Sequence, residues 1–351
     1  MIGAVHFAEG VAGVALIGLV LSDVFRSVAL PHATPATLRL GPVLGRWMLA
    51  GALAWAGRWP AARRHRVLVA LGPLLVVLEL VVWVVALVLG FALLLDALDT
   101  GLRPQPSFGD ALYAAGSAFF TLGLSMQEAS SGSTRFVVVA ASFCGFGIVT
   151  LVVTYLLSLQ GALQGRETLV LRLRERAGHP PSGVALLEVH ARLGHEHDQA
   201  LLEFFRDWEA WSADVLLTHR ASPVLAYFRG TDEDCEWPAA LGAVLDAAAL
   251  IAAMGERAAE ASGAAEHATL CHRMGTRLVS DVARQFGLPS PAGPGLDEAA
   301  FRAARERLRA AGYAAGRCDA EAWTRFAALR ARHAPALLAL YRYFGVRPAA
   351  W

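Results

Sequence analysis

The chain has 351 residues, 56% of them hydrophobic, with a mean hydropathy of +0.45. Its 31 basic residues are all arginine and are balanced by 30 acidic ones to a formal charge of +1, so no basic face exists to recruit nucleic acid. The four cysteines, Cys144, Cys235, Cys271 and Cys318, form no CxxC pair, which indicates neither a disulfide framework nor a zinc site.

The apolar runs lie before residue 165, so the expected class is an all-α membrane protein with a soluble helical second half. The first run, about Gly3 to Phe25, is long enough to cross roughly 30 Å of hydrocarbon, with Glu9 near one end and Asp23 and Arg26 at the other. No basic residue precedes it, a poor match to a cleavable signal peptide, so Met1 is read as part of the mature protein. After the Pro-containing "VALPHATPATLRLGP", the stretch Leu40 to Trp59 is apolar but short. It carries Arg46, Trp47, Trp55 and Trp59, a pattern that fits a helix in the membrane interface better than a span.

"RWPAARRHR" is a dense basic loop, cytoplasmic by the positive-inside rule. The run Val67 to Leu98 then reads as a transmembrane helix interrupted by Pro73 and one acid, Glu79. Such an acid costs roughly 2.5–3.5 kcal/mol on insertion scales, and reads either as a proton- or ion-sensitive switch or as an acid hydrogen-bonded to a neighbouring helix. A last membrane helix, Phe136 to about Leu163, ends at Arg166, Arg172, Arg174 and Arg176, again cytoplasmic. Two spans with basic ends on the same side require the segment between them to lie outside or to re-enter.

That segment contains "SFGDALYAAGSAFFTLGLSM", Ser107 to Met126. Ser107 with Asp110 predicts a capping box, followed by a helix over about Gly109 to Phe120 that is too short to cross a bilayer. The negative end of its dipole suits a cation, and "TLGLS" follows, with Gly123 making alternating backbone conformations cheap.

On these residues the chain resembles the potassium channel family, in its two-transmembrane pore module. Thr121, Leu122 and Gly123 match the first three places of a TVGYG filter, and Leu124 stands at its aromatic place. Gly145, 24 residues beyond Thr121, falls where a hinge glycine is expected, with Gly147 as the other candidate; the alternative for either, slightly favoured, is close helix packing. The resemblance covers about Val67 to Leu163. It implies an outer helix, pore helix, filter and inner helix, a homotetramer in the lipid bilayer, and passive conduction of a monovalent cation, K+ or Na+, with no cofactor. Thr121, Leu122, Gly123, Leu124 and Ser125 would coordinate the ion, while Thr150 and Thr154, one turn apart, line a cavity or bond back to their own helix. Ser125 replaces the second filter glycine and Met126 the following acid, so weakened potassium selectivity is the expectation. The alternative is a non-conducting receptor or scaffold in which a degenerate pore fold oligomerises the soluble domain.

From Gly178 onward the Ala-, Arg-, Glu- and Leu-rich sequence predicts five to seven helices, and "PAALGAVLDAAALIAAMGE" reads as a buried bundle helix. No strand followed by GxGxxG appears, and the tail is expected to be an all-α cytoplasmic domain that gates the pore in response to an unidentified ligand or protein. Phe204, Phe205, Trp208 and Trp211 are core by their spacing. His190, His195 and His197 are read as structural or solvent-exposed, the acidic loop Asp232–Glu236 as solvated, and "FRAARERLRAAG" as a solvated helix face. No GxSxG, HExxH or Walker sequence is present, so the chain is not expected to be an enzyme. The expected organisation is residues 1–66, an N-terminal span plus interfacial helix, 67–165, the pore domain, and 166–351, the helical domain.

Overall fold

The computed structural model describes residues 2–28, 40–56, 59, 61–98, 102–103, 107–124, 128–129, 131–193, 197–230, 236–255, 263–289, 297–314 and 316–351. In chain order the helices are α1 (Ile2–Val28), α2 (Leu40–Ala56), α3 (Ala61–Ala97), α4 (Phe108–Phe119), α5 (Gly132–Ala177), α6 (Gly183–Ala191), α7 (His197–Ala221), α8 (Trp237–Met254), α9 (Ala264–Gln285), α10 (Glu298–Ala310) and α11 (Asp319–Phe344). A 3-10 turn, Pro223–Tyr227, follows α7. Two short strands, β1 (Leu102–Arg103) and β2 (Glu128–Ala129), pair antiparallel. The chain packs as two compact units, Met1–Leu44 with Pro73–Gln160, and Gly45–Gly72 with Gly161–Trp351.

In the first unit α1 and α3 run antiparallel, and small residues let their backbones approach. A Cβ on Gly13 would lie 2.7 Å from the Gly90 carbonyl, and one on Gly90 would meet Ile17 at 2.7 Å. Near the other end of the contact the Trp83 indole donates to the buried Asp23 carboxylate at 2.8 Å, satisfying an acid that burial otherwise penalises. Val20, Trp83, Leu87, Phe91, Ala115, Phe119 and Ala141 belong to one core that joins α1, α3, α4 and α5.

The second unit is a helical bundle around α8, whose 18 residues are all buried. Small side chains make this possible: a Cβ on Gly183 of α6 would meet the Ala243 carbonyl at 2.6 Å, and one on Gly275 of α9 would meet Leu245 at 2.6 Å. Asp246, the one acid of α8, lies 3.1 Å from His333 Nε2 and accepts from Arg330 at 3.2 Å, while His333 Nδ1 lies 3.0 Å from His272 Nε2. This chain of partners satisfies a charge in the middle of an apolar helix. Phe204, Phe205, Trp208 and Trp211 are buried, and His190 is buried with Nδ1 at 3.0 Å from the Leu186 carbonyl. His195 and Asp232–Cys235 lie outside the described residues, but Glu236, expected in a solvated loop, is buried beside Arg229. On α10 the solvated-face expectation needs correction: Phe301 and Leu308 are core, and Arg305 is buried because its guanidinium reaches Asp319 and the Arg317 carbonyl.

The helix bounds also differ from expectation. α5 begins four residues before Phe136 and runs on to Ala177, since nothing in "LQGRETLVLRLRERA" breaks a helix. From Gly45 onward α2 belongs to the second unit: a Cβ on Gly45 would meet the Tyr227 ring at 2.5 Å, Leu49 is buried, and Leu53 packs against Gly345. Its opposite face leaves Trp47 and Trp55 exposed.

Candidate functional site: the loop between α3 and α5

The segment between α3 and α5 is drawn together at its neck by β1 and β2, with Leu102 opposite Ala129 and Arg103 opposite Glu128. Within it, Ser107 caps α4 as its sequence predicts. The Ser107 amide donates to Asp110 Oδ2 at 2.9 Å, the Ser107 hydroxyl donates to the same oxygen at 2.8 Å, and Ser107 Oγ accepts from the Asp110 amide at 3.4 Å. The backbone hydrogen bond from Ser107, then its hydroxyl, hold the Asp110 carboxyl below the usual carboxylate range. An ionised acid at the first turn also suits the positive end of the α4 dipole.

At its other end α4 is held by α5. A Cβ on Gly145 would overlap the Phe119 carbonyl oxygen, well within van der Waals contact distance, so only glycine admits this approach. One turn before, the Ser142 hydroxyl donates to the Ala118 carbonyl at 2.9 Å. The last turn of α4 therefore has a fixed position against α5, with its carbonyls as the negative pole.

The residues after α4 reverse direction over a strained backbone. Thr121 has φ 55° and Gly123 φ 67°, and Thr121 is the one non-glycine residue with positive φ among those described. A β-branched residue there is an outlier that costs of order 1–3 kcal/mol and persists only when its surroundings over-determine it. Ser117 supplies much of that determination. Its carbonyl accepts from the Leu122 amide at 2.8 Å, and its hydroxyl oxygen accepts from the Leu124 amide at 2.9 Å. In a planar trans peptide the carbonyl of one residue points opposite to the next residue's N–H. With both amides turned toward Ser117, the carbonyls of Thr121 and Gly123 point away from α4. The Tyr113 hydroxyl donates to the Leu124 carbonyl at 3.3 Å, and the Thr121 hydroxyl to the Phe120 carbonyl at 2.7 Å. Thr121, Leu122, Gly123 and Leu124 are all exposed in the single chain.

Ser125 and Met126, on which the expectation of weakened selectivity rests, lie outside the described residues. Thr150 and Thr154 are exposed on α5, and their hydroxyls donate to the Phe146 and Thr150 carbonyls at 3.1 Å each. Gly147 has open space around it, in contrast to Gly145. Glu79 is buried at 3% exposure, with both carboxylate oxygens 2.9 Å from where a Cβ on Gly41 would stand, so the glycine makes room for the acid. Ser117, Tyr113 and Ser142 were not singled out from sequence; two serines and a tyrosine on apolar helices give no signal until the partners are placed.

No family model matches this chain, and no solved structure matches it. The uncharacterized membrane protein YdjJ of Bacillus subtilis (strain 168) is 25% identical over 200 residues, which are 54% of this chain and 55% of that protein. The chain thus spans about half the length of that relative. Among the described residues four helices are long and apolar enough to cross a membrane, Ala4–Ser27, His65–Ala97, Gly132–Ala177 and Trp237–Met254, and 94% of the last is buried inside the bundle. The chain is an all-α membrane protein.

Proposed function

We propose that four copies of this chain form a cation channel of potassium-channel type. Passive conduction runs past Thr121–Leu124, and selectivity for K+ over Na+ is weaker than in a complete TVGYG filter. The observation that carries this reading is the pair of Ser117 hydrogen bonds to Leu122 and Leu124, which turns the Thr121 and Gly123 carbonyls away from α4. Carbonyls presented in a row replace a cation's hydration shell only when a ring of chains surrounds the ion, and a cyclic homotetramer supplies that ring. The exposed side chains Phe120, Leu122 and Leu124 would be covered in such an assembly. Arg63 and Arg66 at the start of α3, and Arg172, Arg174 and Arg176 at the end of α5, support a cytoplasmic helical domain that gates the pore.

The test is K+ and Na+ flux through the purified protein in liposomes, compared with Thr121→Ala and Gly123→Ala. Loss or altered selectivity of flux in the variants supports the pathway. Absence of flux from the wild type favours a scaffold that only oligomerises the helical domain.

A further inference from the structure

The second unit contains a cluster that the pore does not use. Tyr227 and Phe228, at the end of the 3-10 turn, each occupy a seat that only glycine can provide. The Tyr227 ring lies 2.5 Å from where a Cβ on Gly45 of α2 would stand, and the Phe228 ring 2.7 Å from one on Gly72 of α3. Between these seats α5 contributes Arg166, 2% exposed. Its Nη1 donates to the Leu225 carbonyl at 2.9 Å and its Nη2 to the Phe228 carbonyl at 2.8 Å, while Nε and Nη2 donate to Glu167 at 3.0 and 2.8 Å. In return the Trp211 indole of α7 donates to the Arg166 carbonyl at 3.0 Å.

A guanidinium is an expensive group to bury, and packing alone is served as well by an apolar side chain. What its planar fork of donors adds is a fixed register between α5 and the backbone of 225–228. α2, α3 and α5 are also the helices whose remaining residues belong to the first unit, and the chain passes between units at Gly45, Gly72 and Gly161. α5 carries both Gly145 and Arg166. Gly145 is the residue packed on the Phe119 carbonyl, at the end of α4.

We propose that Tyr227 and Phe228, seated on Gly45 and Gly72 and tied to α5 by Arg166, are the coupling element through which the helical domain sets the open probability of the pore. This rests on the channel reading above and names its regulation. Arg166 is a positioning residue: it touches no ion and acts through α5.

The test uses the full chain in liposomes and planar bilayers, with single-channel recording and ionic permeability ratios. Phe228→Ala empties one seat, Gly72→Ala obstructs it, and Arg166→Gln removes the fork. Each is expected to change open probability by at least about fivefold, the lower end of allosteric coupling, with permeability ratios unchanged. Because Phe228 and Gly72 act through one contact, the open probability of their double variant should be non-additive at melting temperatures that, measured alongside, stay at the wild-type value and so separate gating from loss of stability. If Arg166→Gln fails to fold, the Phe228 and Gly72 pair still decides the matter. Conducting variants with wild-type open probability, or effects that simply add, overturn the coupling and leave the channel intact. A wild-type protein that passes no current overturns the channel reading and the coupling with it.

Discussion

Two helices of nearly equal hydropathy have opposite fates in this molecule. The α1 span Ala4–Ser27 has a mean hydropathy of 1.9 and is 11% buried by protein, whereas α8 has 1.7 and is 94% buried. The difference lies in shape and in what the polar residues find. α8 is built mostly of alanine and leucine, so α6, α9 and α11 can close on every side of it, and Asp246 is met by His333 and Arg330. α1 carries larger side chains such as Phe7, Leu19 and Phe25 on exposed faces, and its small-residue seam meets α3. Hydropathy thus measures the need for an apolar surrounding, and burial shows whether protein or lipid provides it.

A charge placed in each helix breaks the comparison most strongly. Ala248→Asp in the core of α8 leaves an uncompensated buried charge and should destabilise the helical domain by roughly 3–5 kcal/mol, read as loss of its cooperative thermal transition. Val14→Asp on the exposed face of α1 should leave that transition unchanged and instead reduce membrane insertion, by roughly 2.5–3.5 kcal/mol on insertion scales. Next in size is Gly145→Val, whose added carbons collide with the Phe119 carbonyl; about 1–3 kcal/mol or more of overpacking should appear as a lower melting temperature of the detergent-solubilised protein. Gly147→Val, in open space, is the control.

Ser117→Ala removes the acceptor for the Leu124 amide, a loss of about 1–3 kcal/mol confined to the loop after α4. Reduced or less selective cation flux at an unchanged global melting temperature is the expected result.

The smallest effect concerns pH. Burial, with the nearby Arg166 charge, pushes His219 down to about 3, and burial with the His333 charge does the same to His272. Both take up protons on unfolding between pH 6.5 and about 3, so stability falls as pH drops through that window. Glu236 has the opposite sign: desolvation, only partly offset by Arg229 at 3.6 Å, pushes it up to about 7. The folded state therefore binds its proton between pH 7 and about 4.5, and stability rises as pH drops there. Removing that compensation with Glu236→Gln should make the melting temperature of the helical domain fall more steeply between pH 7 and 5 than in the wild type.

The sequence made the spans, the capped short helix and the buried character of α8 legible, because each depends on local pattern: apolar length, Ser107 with Asp110, and an alanine-rich run between breakers. Positions fixed by distant partners were not legible. Gly145 reads as a packing seat or a hinge until the Phe119 carbonyl is placed beside it. Ser117 looks like a tolerated polar residue until Leu122 and Leu124 fold back onto it, and Arg166 looks like a cytoplasmic flanking charge until its fork meets the 225–228 backbone. Nor does the sequence single out Thr121 as the strained position, where the chain turns out of α4 with a positive φ.

The most direct measurement of the central claim is the reversal potential of the reconstituted protein in opposed K+ and Na+ gradients, taken for the wild type and for Gly123→Ala. The account predicts a cation current with a modest preference for K+ that Gly123→Ala abolishes or renders non-selective. A wild type without current, or a current whose reversal potential ignores the Gly123 substitution, contradicts it.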